Sequence, residues 1–193
     1  ERKVITEEQY QEYCAMANAA LDNHPNIVKQ AHEWSKKHIN KFINARCIVL
    51  FGSGPLFGVA EEGAIKIQEI TEKNLARGYE IYQRIYGSTT CFGKDDAVIV
   101  MDDGVNETVM GKGIADYMYH HFGNGYLIGP EVFTENDMKI EIKGGDFRML
   151  EFIPIVEVLA YEMAVAEDHP LLDKYHYNAD FFEDYLKAKG KLL

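Results

Sequence analysis

Apolar residues recur along the chain at two spacings, and their alternation predicts an α/β fold. Two runs that are apolar throughout, Cys47–Phe51 and Ala97–Met101, are typical of strands buried on both faces of a parallel sheet. Shorter apolar segments at Tyr126–Ile128 and Lys139–Ile142 predict a third and a fourth strand. Because helical spacing fills most of the chain between these strands, we expect a three-layer, doubly wound parallel sheet.

Helix signals flank the predicted strands. Thr6 and Gln9 form a capping-box pattern before a first helix, and Pro25 predicts the start of a second helix that ends near Asn44. Further helices are predicted over 57–74, 107–122 and 152–166. This pattern divides the chain into a helical connector over 1–44, a domain over 45–168 and a C-terminal tail over 169–193.

Composition and charge narrow the classes of function. No apolar run approaches the roughly 18 residues that a membrane-spanning helix needs, so we expect no membrane association. A net charge of −11 argues against nucleic acid as a partner. Three widely spaced cysteines and the lack of a signal peptide predict a cytoplasmic protein, and the missing initial Met predicts a piece of a longer polypeptide.

The glycine-rich turn after the first strand is one candidate site. Gly52, Ser53 and Gly54 precede a predicted helix, where backbone N–H groups can face a phosphate or a sugar oxygen. A tight connection from strand to helix also needs glycine for steric reasons alone, and the sequence leaves both interpretations open.

The second candidate is a cluster of charged residues on one helix face. Glu62, Lys66 and Glu69 are three or four residues apart and therefore lie on the same side of the predicted helix. A surface ion pair explains this spacing as well as a catalytic carboxylate does.

One string in this region and two stretches near the carboxyl end resemble a known family. The string GSGPLFGVAEEGAIKIQEIT is similar to the glycine turn and EGALKLKEIS pattern in the second sugar-isomerase (SIS) domain of glucosamine-6-phosphate synthase. IPIVEVLAYEMAVA over 153–166 resembles the IP-x-x-x-LAY helix of that family, and HPLLDKYHY over 169–177 resembles the ending of fructosamine-6-phosphate deglycases.

The resemblance implies a flavodoxin-like SIS fold and a phosphosugar isomerase or deglycase activity without a cofactor. It implies that Glu69 moves a proton between C1 and C2 of a ketose or fructosamine 6-phosphate, with Lys66 as its electrostatic partner. It places Gly52, Ser53, Gly54, Glu62, Lys174 and His176 at the substrate, in a cleft at the carboxyl ends of the strands. It also implies a homo-oligomer.

The chain departs from the family at the element GE-x-x-HGP, whose His assists opening of the sugar ring. Gln83 takes the position of the Glu, and Tyr86 takes that of the His. A Tyr hydroxyl, with a pKa near 10, carries protons poorly at neutral pH. The alternatives are therefore a sensor that binds a sugar phosphate without transforming it, or a structural dimerisation half.

The family's phosphate-binding loop, S-x-S-G-x-T, has no counterpart in this chain. The comparable stretch MDDGVNET carries Asp102 and Asp103, which would repel a phosphate dianion. We therefore expect a first SIS domain, in the same polypeptide or in a partner subunit, to supply the phosphate site. Adjacent side chains on an extended segment point to opposite faces, so the two aspartates are not expected to share a metal ion. We interpret them as acidic residues at the start of a helix, where its positive end stabilises them, and we predict no metal site.

Overall fold

The computed structural model describes residues 4–84, 87–106, 108–171, 187 and 190. The helices are α1 (Glu7–Ile43), α2 (Pro55–Thr71), α3 (Ile81–Arg84), α4 (Thr108–Phe122) and α5 (Met149–Ala166), and the strands are β1 (Cys47–Gly52), β2 (Ala76–Glu80), β3 (Asp96–Met101), β4 (Gly125–Gly129) and β5 (Met138–Lys139). Short 3-10 helices cover Ser88–Cys91 and Gly145–Phe147. In this part of the chain, no helix is both long and apolar enough to span a membrane.

The five strands form one parallel sheet in the order β2-β1-β3-β4-β5. Leu50 in the middle of β1 pairs with Gly78 on one side and with Ile99 on the other. β1, β3 and β4 are buried along almost their whole length, which explains why Asp96 at the start of β3 is their only charged residue.

Helices cover both faces of the sheet. Helices α1, α2 and α5 share one hydrophobic core with one face, where Phe42, Ile67 and Phe152 are fully buried. Helix α4 packs through Ile114 and Met118 into a smaller core on the other face. The predicted three-layer, doubly wound α/β fold is therefore confirmed.

The prediction of two helices before the first strand was wrong. A single helix of 37 residues continues through Pro25 and ends at Ile43. Proline costs about 3 kcal/mol inside a helix because it lacks an N–H and its ring meets the preceding turn. The buried stripe on both sides of it, including Ala20, Ile27 and Ala31, makes the continuous helix the better-packed alternative.

The sheet also has a strand that the sequence pattern does not predict. β2 reads ARGYE, and it escapes a search for apolar runs because it is an edge strand with only Ala76 fully buried. Conversely, the predicted strand over Lys139–Ile142 is shorter and lies earlier, at Met138–Lys139.

An aromatic cluster joins α1 to β4. Trp34, His38 and Phe42 lie one turn apart on α1 and surround Tyr126, with ring centroids 4.9–5.9 Å from the Tyr126 ring. The Trp34 indole donates a hydrogen bond of 2.7 Å to the carbonyl of Asn136, in the connection between β4 and β5. This cluster holds α1 against β4 and against the connection between β4 and β5.

The strand order places a topological switch point between β1 and β3. Ligands of such sheets bind beyond the carboxyl ends of the strands at this point. Here that edge consists of the glycine turn after β1 and the loop over 102–106 after β3.

Candidate functional site

The glycine turn is shaped by close packing of backbone. A Cβ on Gly52 would collide with the carbonyl of Leu56, in the first turn of α2. Gly54 has φ +55°, which favours glycine, and a Cβ there would lie 3.3 Å from the side chain of Asn106. Steric need accounts for both glycines, without reference to a ligand.

Ser53, between these glycines, is engaged by its own chain. Its side chain is buried, and its hydroxyl donates a hydrogen bond of 2.9 Å to the Glu80 carboxylate at the end of β2. The other oxygen of Glu80 accepts a hydrogen bond of 2.9 Å from the backbone N–H of Gln83. Glu80 thus ties the turn after β1 to helix α3, which follows β2.

Sequence reasoning missed Glu80. It follows Gly78 by two residues and precedes the short helix α3, but its role becomes visible only once β2 is recognised as the neighbour of β1. One signal in the sequence could have pointed to Glu80. The family's GE-x-x-HGP element contains a Gly and a Glu, and Gly78 and Glu80 lie a few residues before Gln83, the residue that we matched to the Glu of that element.

Asp103, directly beyond β3, is buried in a dense set of donors. Arg148 Nε donates to Asp103 Oδ2 at 2.7 Å, as does the Asn106 side-chain amide, also at 2.7 Å. The backbone N–H groups of Val105 and Asn106 donate to Oδ1. Burial by itself would raise the pKa of Asp103, but the hydrogen bonds from Arg148 and Asn106 outweigh it and hold the pKa below its usual range.

Asp102 points the other way. Its Oδ1 accepts a hydrogen bond of 2.9 Å from the N–H of Gly104, and its Oδ2 lies 3.4 Å from Lys112 Nζ in α4. Arg148, the partner of Asp103, lies at the start of α5, on the opposite face of the sheet from α4. The two aspartates therefore contact opposite faces. The prediction that the two aspartates diverge is confirmed.

The contacts in the loop over 102–106 give a different reason for weak phosphate binding than the charge repulsion that the sequence predicts. Three successive N–H groups, those of Gly104, Val105 and Asn106, already donate to the two aspartates. The carboxylates are ion-paired, so simple repulsion is weaker than we expected, but they occupy the donors that a phosphate would need. Among the described residues, His, Cys, Asp and Glu form no group of three or more that could hold a metal ion.

The charged cluster on α2 lies on the outside of the molecule. Lys66 Nζ is 2.8 Å from Glu69 Oε2 and 3.5 Å from Glu62 Oε1. The Glu69 side chain is 53% exposed and that of Lys66 is 30% exposed. The hydrogen bond to Glu69 raises the pKa of Lys66, so that Lys66 keeps its proton at neutral pH and acts as a fixed positive charge.

The structure separates the two predicted parts of the site. Gly54 caps the amino end of α2, whereas Glu69 lies in its last turns. Fifteen residues of helix correspond to about 22 Å. Glu69 therefore does not share a cleft with the glycine turn within one chain, because α2 carries it back toward the end of the sheet at which the strands begin.

The remaining predicted site residues cannot be placed beside these groups. Tyr86, Lys174 and His176 lie outside the described residues. Gln83, at the position of the family's Glu, is exposed at α3.

No protein-family model matches this chain, and no curated protein matches it. Several solved structures, in contrast, are similar to this chain. A candidate phosphosugar isomerase from Clostridium difficile 630 is 21% identical with a TM-score of 0.79, over 91% of this chain and 51% of that one. A candidate sugar-binding protein from Salmonella typhimurium LT2 is 22% identical with a TM-score of 0.75, over 84% and 50%.

The C-terminal domain of glucosamine-fructose-6-phosphate aminotransferase from Francisella tularensis is 16% identical with a TM-score of 0.58, over 85% of this chain and 45% of that one. At these identities the likeness establishes a shared fold. The chain spans about half the length of each of these three proteins.

Proposed function

We propose that this chain is an SIS domain of a phosphosugar-processing enzyme, in which Glu69 transfers a proton between C1 and C2 of a ketose or fructosamine 6-phosphate. The observation that carries the proposal is the Glu69–Lys66 pair, held at 2.8 Å on the solvent-facing side of α2 and in register with the EGALKLKEIS pattern. Proton transfer at carbon needs a base and a nearby positive charge that stabilises the enediolate oxygen. Glu69 and Lys66 are suited to these two roles.

The exposure of Glu69 indicates what completes the site. An exposed carboxylate in water lacks the walls that position a sugar and exclude solvent. We infer that a first SIS domain, in the same polypeptide or in a partner subunit, covers this face of α2 and binds the phosphate. Two observations support this inference: the loop after β3 has its donors occupied, and the solved structures with this fold named above are about twice as long.

Exchange of substrate hydrogen with solvent tests the proposed base directly. We would incubate the enzyme, with its first domain present, in D2O with fructose 6-phosphate and with a fructosamine 6-phosphate, and follow deuterium at C1 and C2 by NMR. Glu69→Gln keeps the shape of the side chain and removes the base, so we expect exchange to fall by about 10²–10⁴-fold. Glu61→Gln, on an exposed position of the same helix, is the matched control. Full exchange by the Glu69→Gln protein would show that Glu69 is not the base.

A sensor that binds a sugar phosphate without turnover is the second candidate. The solvated, ion-paired state of Glu69 favours it, because a binding module needs no desolvated base. Calorimetric titration with hexose 6-phosphates, beside the exchange assay, separates the two. Binding without exchange by the wild-type protein supports the sensor, and binding with Glu69-dependent exchange supports the enzyme.

A further inference from the structure

The carboxyl ends of α2 and α5 meet in a charged junction formed by Glu72, Lys73, Glu167 and His169. Lys73, just after α2, forms an ion pair with Glu167, just after α5. Beside this pair, the Glu72 carboxylate lies 3.9 Å from Nε2 of His169. The side chains of Glu72 and His169 are 30% and 26% exposed, so both are held against the protein and both can still be reached from solvent.

The backbone gives Glu72 a reason to be in this junction. Among the described residues, Glu72 and Asp168 are the two other than glycine with a positive φ, at +51° and +53°. Each lies just after the end of a helix, where glycine adopts this conformation without the strain that a Cβ brings. Glycine at position 72 would therefore end α2 with less strain, but it would leave His169 without its carboxylate partner.

The end of α5 fixes the position of His169. Its backbone N–H donates a hydrogen bond of 2.9 Å to the carbonyl of Ala164, and the N–H of Asp168 donates one of 3.2 Å to Val165. Glu167, whose side chain is 7% exposed, anchors the same turn to the end of α2. The imidazole is thus placed beside a carboxylate that can pair with its protonated form.

This junction adjoins the Glu69–Lys66 pair. Glu69 lies in the last turn of α2, and Glu72 is the residue that caps this helix. Three residues of helix advance by about 4.5 Å. His169, in contact with Glu72, therefore lies beside the turn of helix that carries the proposed base.

We propose that His169 is the acid that opens the ring of the sugar before Glu69 transfers a proton, an inference that rests on the proposed function. In a cyclic ketose 6-phosphate, O5 is bonded to C2, and no enediolate can form until that bond breaks. The imidazolium of His169 donates a proton to O5, which takes the electron pair of the C2–O5 bond. The C2 hydroxyl loses its proton to water as the C2 carbonyl forms, and the solvent reprotonates the imidazole.

The division of labour among these side chains follows from their chemistry. Glu69 must stay free to accept the proton from carbon, and Lys66 is held by its ion pair with Glu69. Imidazole is the side chain that gains and loses a proton most readily near neutral pH. Glu72 is a positioning residue, because it pairs with the imidazolium and has no contact with the substrate in this step.

A substrate that cannot close its ring separates ring opening from proton transfer. Fructose 6-phosphate closes through O5, since O6 carries the phosphate, so 5-deoxyfructose 6-phosphate stays linear. We would follow deuterium exchange at C1 of both compounds in D2O, using the enzyme with its first domain present. His169→Gln should slow exchange of fructose 6-phosphate by about 10²-fold and leave exchange of the 5-deoxy compound unchanged. His120→Gln, at a histidine of α4 whose side chain is 63% exposed, is the matched control and should change neither.

The same pair of substrates distinguishes the possible failures. An equal loss with both compounds in His169→Gln, or no loss with either, would overturn the role of His169. Glu69→Gln should slow exchange of both compounds. A wild-type enzyme that exchanges neither compound would contradict the proposed function itself, and the role of His169 with it.

Glu72→Gly provides a test that a purely structural role would not pass. Glycine relieves the left-handed cap, so the urea midpoint should rise, while loss of the partner of His169 should slow exchange of fructose 6-phosphate alone. Exchange of fructose 6-phosphate at the wild-type rate in this variant would overturn the pairing of Glu72 with His169 as part of the mechanism.

Discussion

Gly63 of α2 lies directly against Val156 of α5. A Cβ on Gly63 would come within 2.7 Å of Val156 Cβ and 2.9 Å of its Cγ1. Carbon atoms that are not bonded prefer separations of about 3.5–4.0 Å. The absent side chain therefore sets how closely the two helices pack, and the Gly of the EGA motif has a structural reason independent of catalysis.

Gly63→Ala is expected to destabilise the domain by about 1–3 kcal/mol. Alanine gains about 1 kcal/mol in helix propensity, but the fixed Cβ of Val156 cannot rotate away from the new methyl group. Gly58→Ala in the same helix is the control, because a Cβ there meets open space and should be neutral or stabilising. Urea unfolding of both variants measures the difference, and equal stabilities would contradict the packing argument.

Asp103→Ala should cost about 2–4 kcal/mol of folding free energy. The substitution leaves Arg148, whose side chain is 15% exposed, without its carboxylate, and it removes the acceptor for two backbone N–H groups. Because the pKa of Asp103 is depressed in the folded state, its contribution is present above the unfolded pKa near 4 and is lost as the pH falls below it. In denaturation curves measured at decreasing pH, the wild-type protein should therefore lose stability below about pH 4 by an amount that the variant does not lose.

His38 predicts a separate loss of stability at milder acidity. Burial, with a smaller effect of Lys37, lowers the pKa of His38 to about 4 from 6.5, although Glu135 and Asp137 oppose the shift. The folded state prefers neutral imidazole, so stability should decline as the pH falls from 6.5 toward 4, by at most about 3 kcal/mol.

His38→Phe should flatten this decline, since the ring already packs among Trp34, Phe42 and Tyr126. Leu21→Ala, at an exposed residue of α1 that carries no titratable group, should keep the wild-type slope. Chemical denaturation at half-unit steps between pH 4.5 and 7.5 checks both, and an unchanged slope in His38→Phe would reject His38 as the titrating group.

Ser53 and Glu80 should be energetically coupled. Ser53→Ala and Glu80→Gln each weaken the hydrogen bond between the turns after β1 and β2, so a double-mutant cycle should give a coupling of about 1 kcal/mol. A parallel cycle of Ser53→Ala with Glu61→Gln should give none. Coupling of equal size in both cycles would mean that the effect is not the hydrogen bond.

The elements that follow apolar periodicity could be predicted, and those that depend on tertiary packing could not. β1, β3 and α5 are mostly apolar because they are buried, so their sequences predict them directly. The edge strand β2 carries no such signal. The continuity of α1 through Pro25 depends on a buried stripe that only the assembled core defines.

The site divides in the same way. Spacing on α2 predicts the cluster of Glu62, Lys66 and Glu69, since helix geometry alone brings the three together. Its distance from the glycine turn follows from the length of α2, and the pairing of Ser53 with Glu80 depends on the neighbour of β1 in the sheet. Both require the fold as well as the sequence.

Trp34 gives the long helix an optical label. It is the single tryptophan of the chain, it is almost fully buried, and it bonds to the connection between β4 and β5. Because its emission wavelength depends on solvent contact, detachment of α1 from the sheet should appear as a red shift, separable from events on the α4 side. One intrinsic fluorophore thus reports on one half of the core, without any dye or added label.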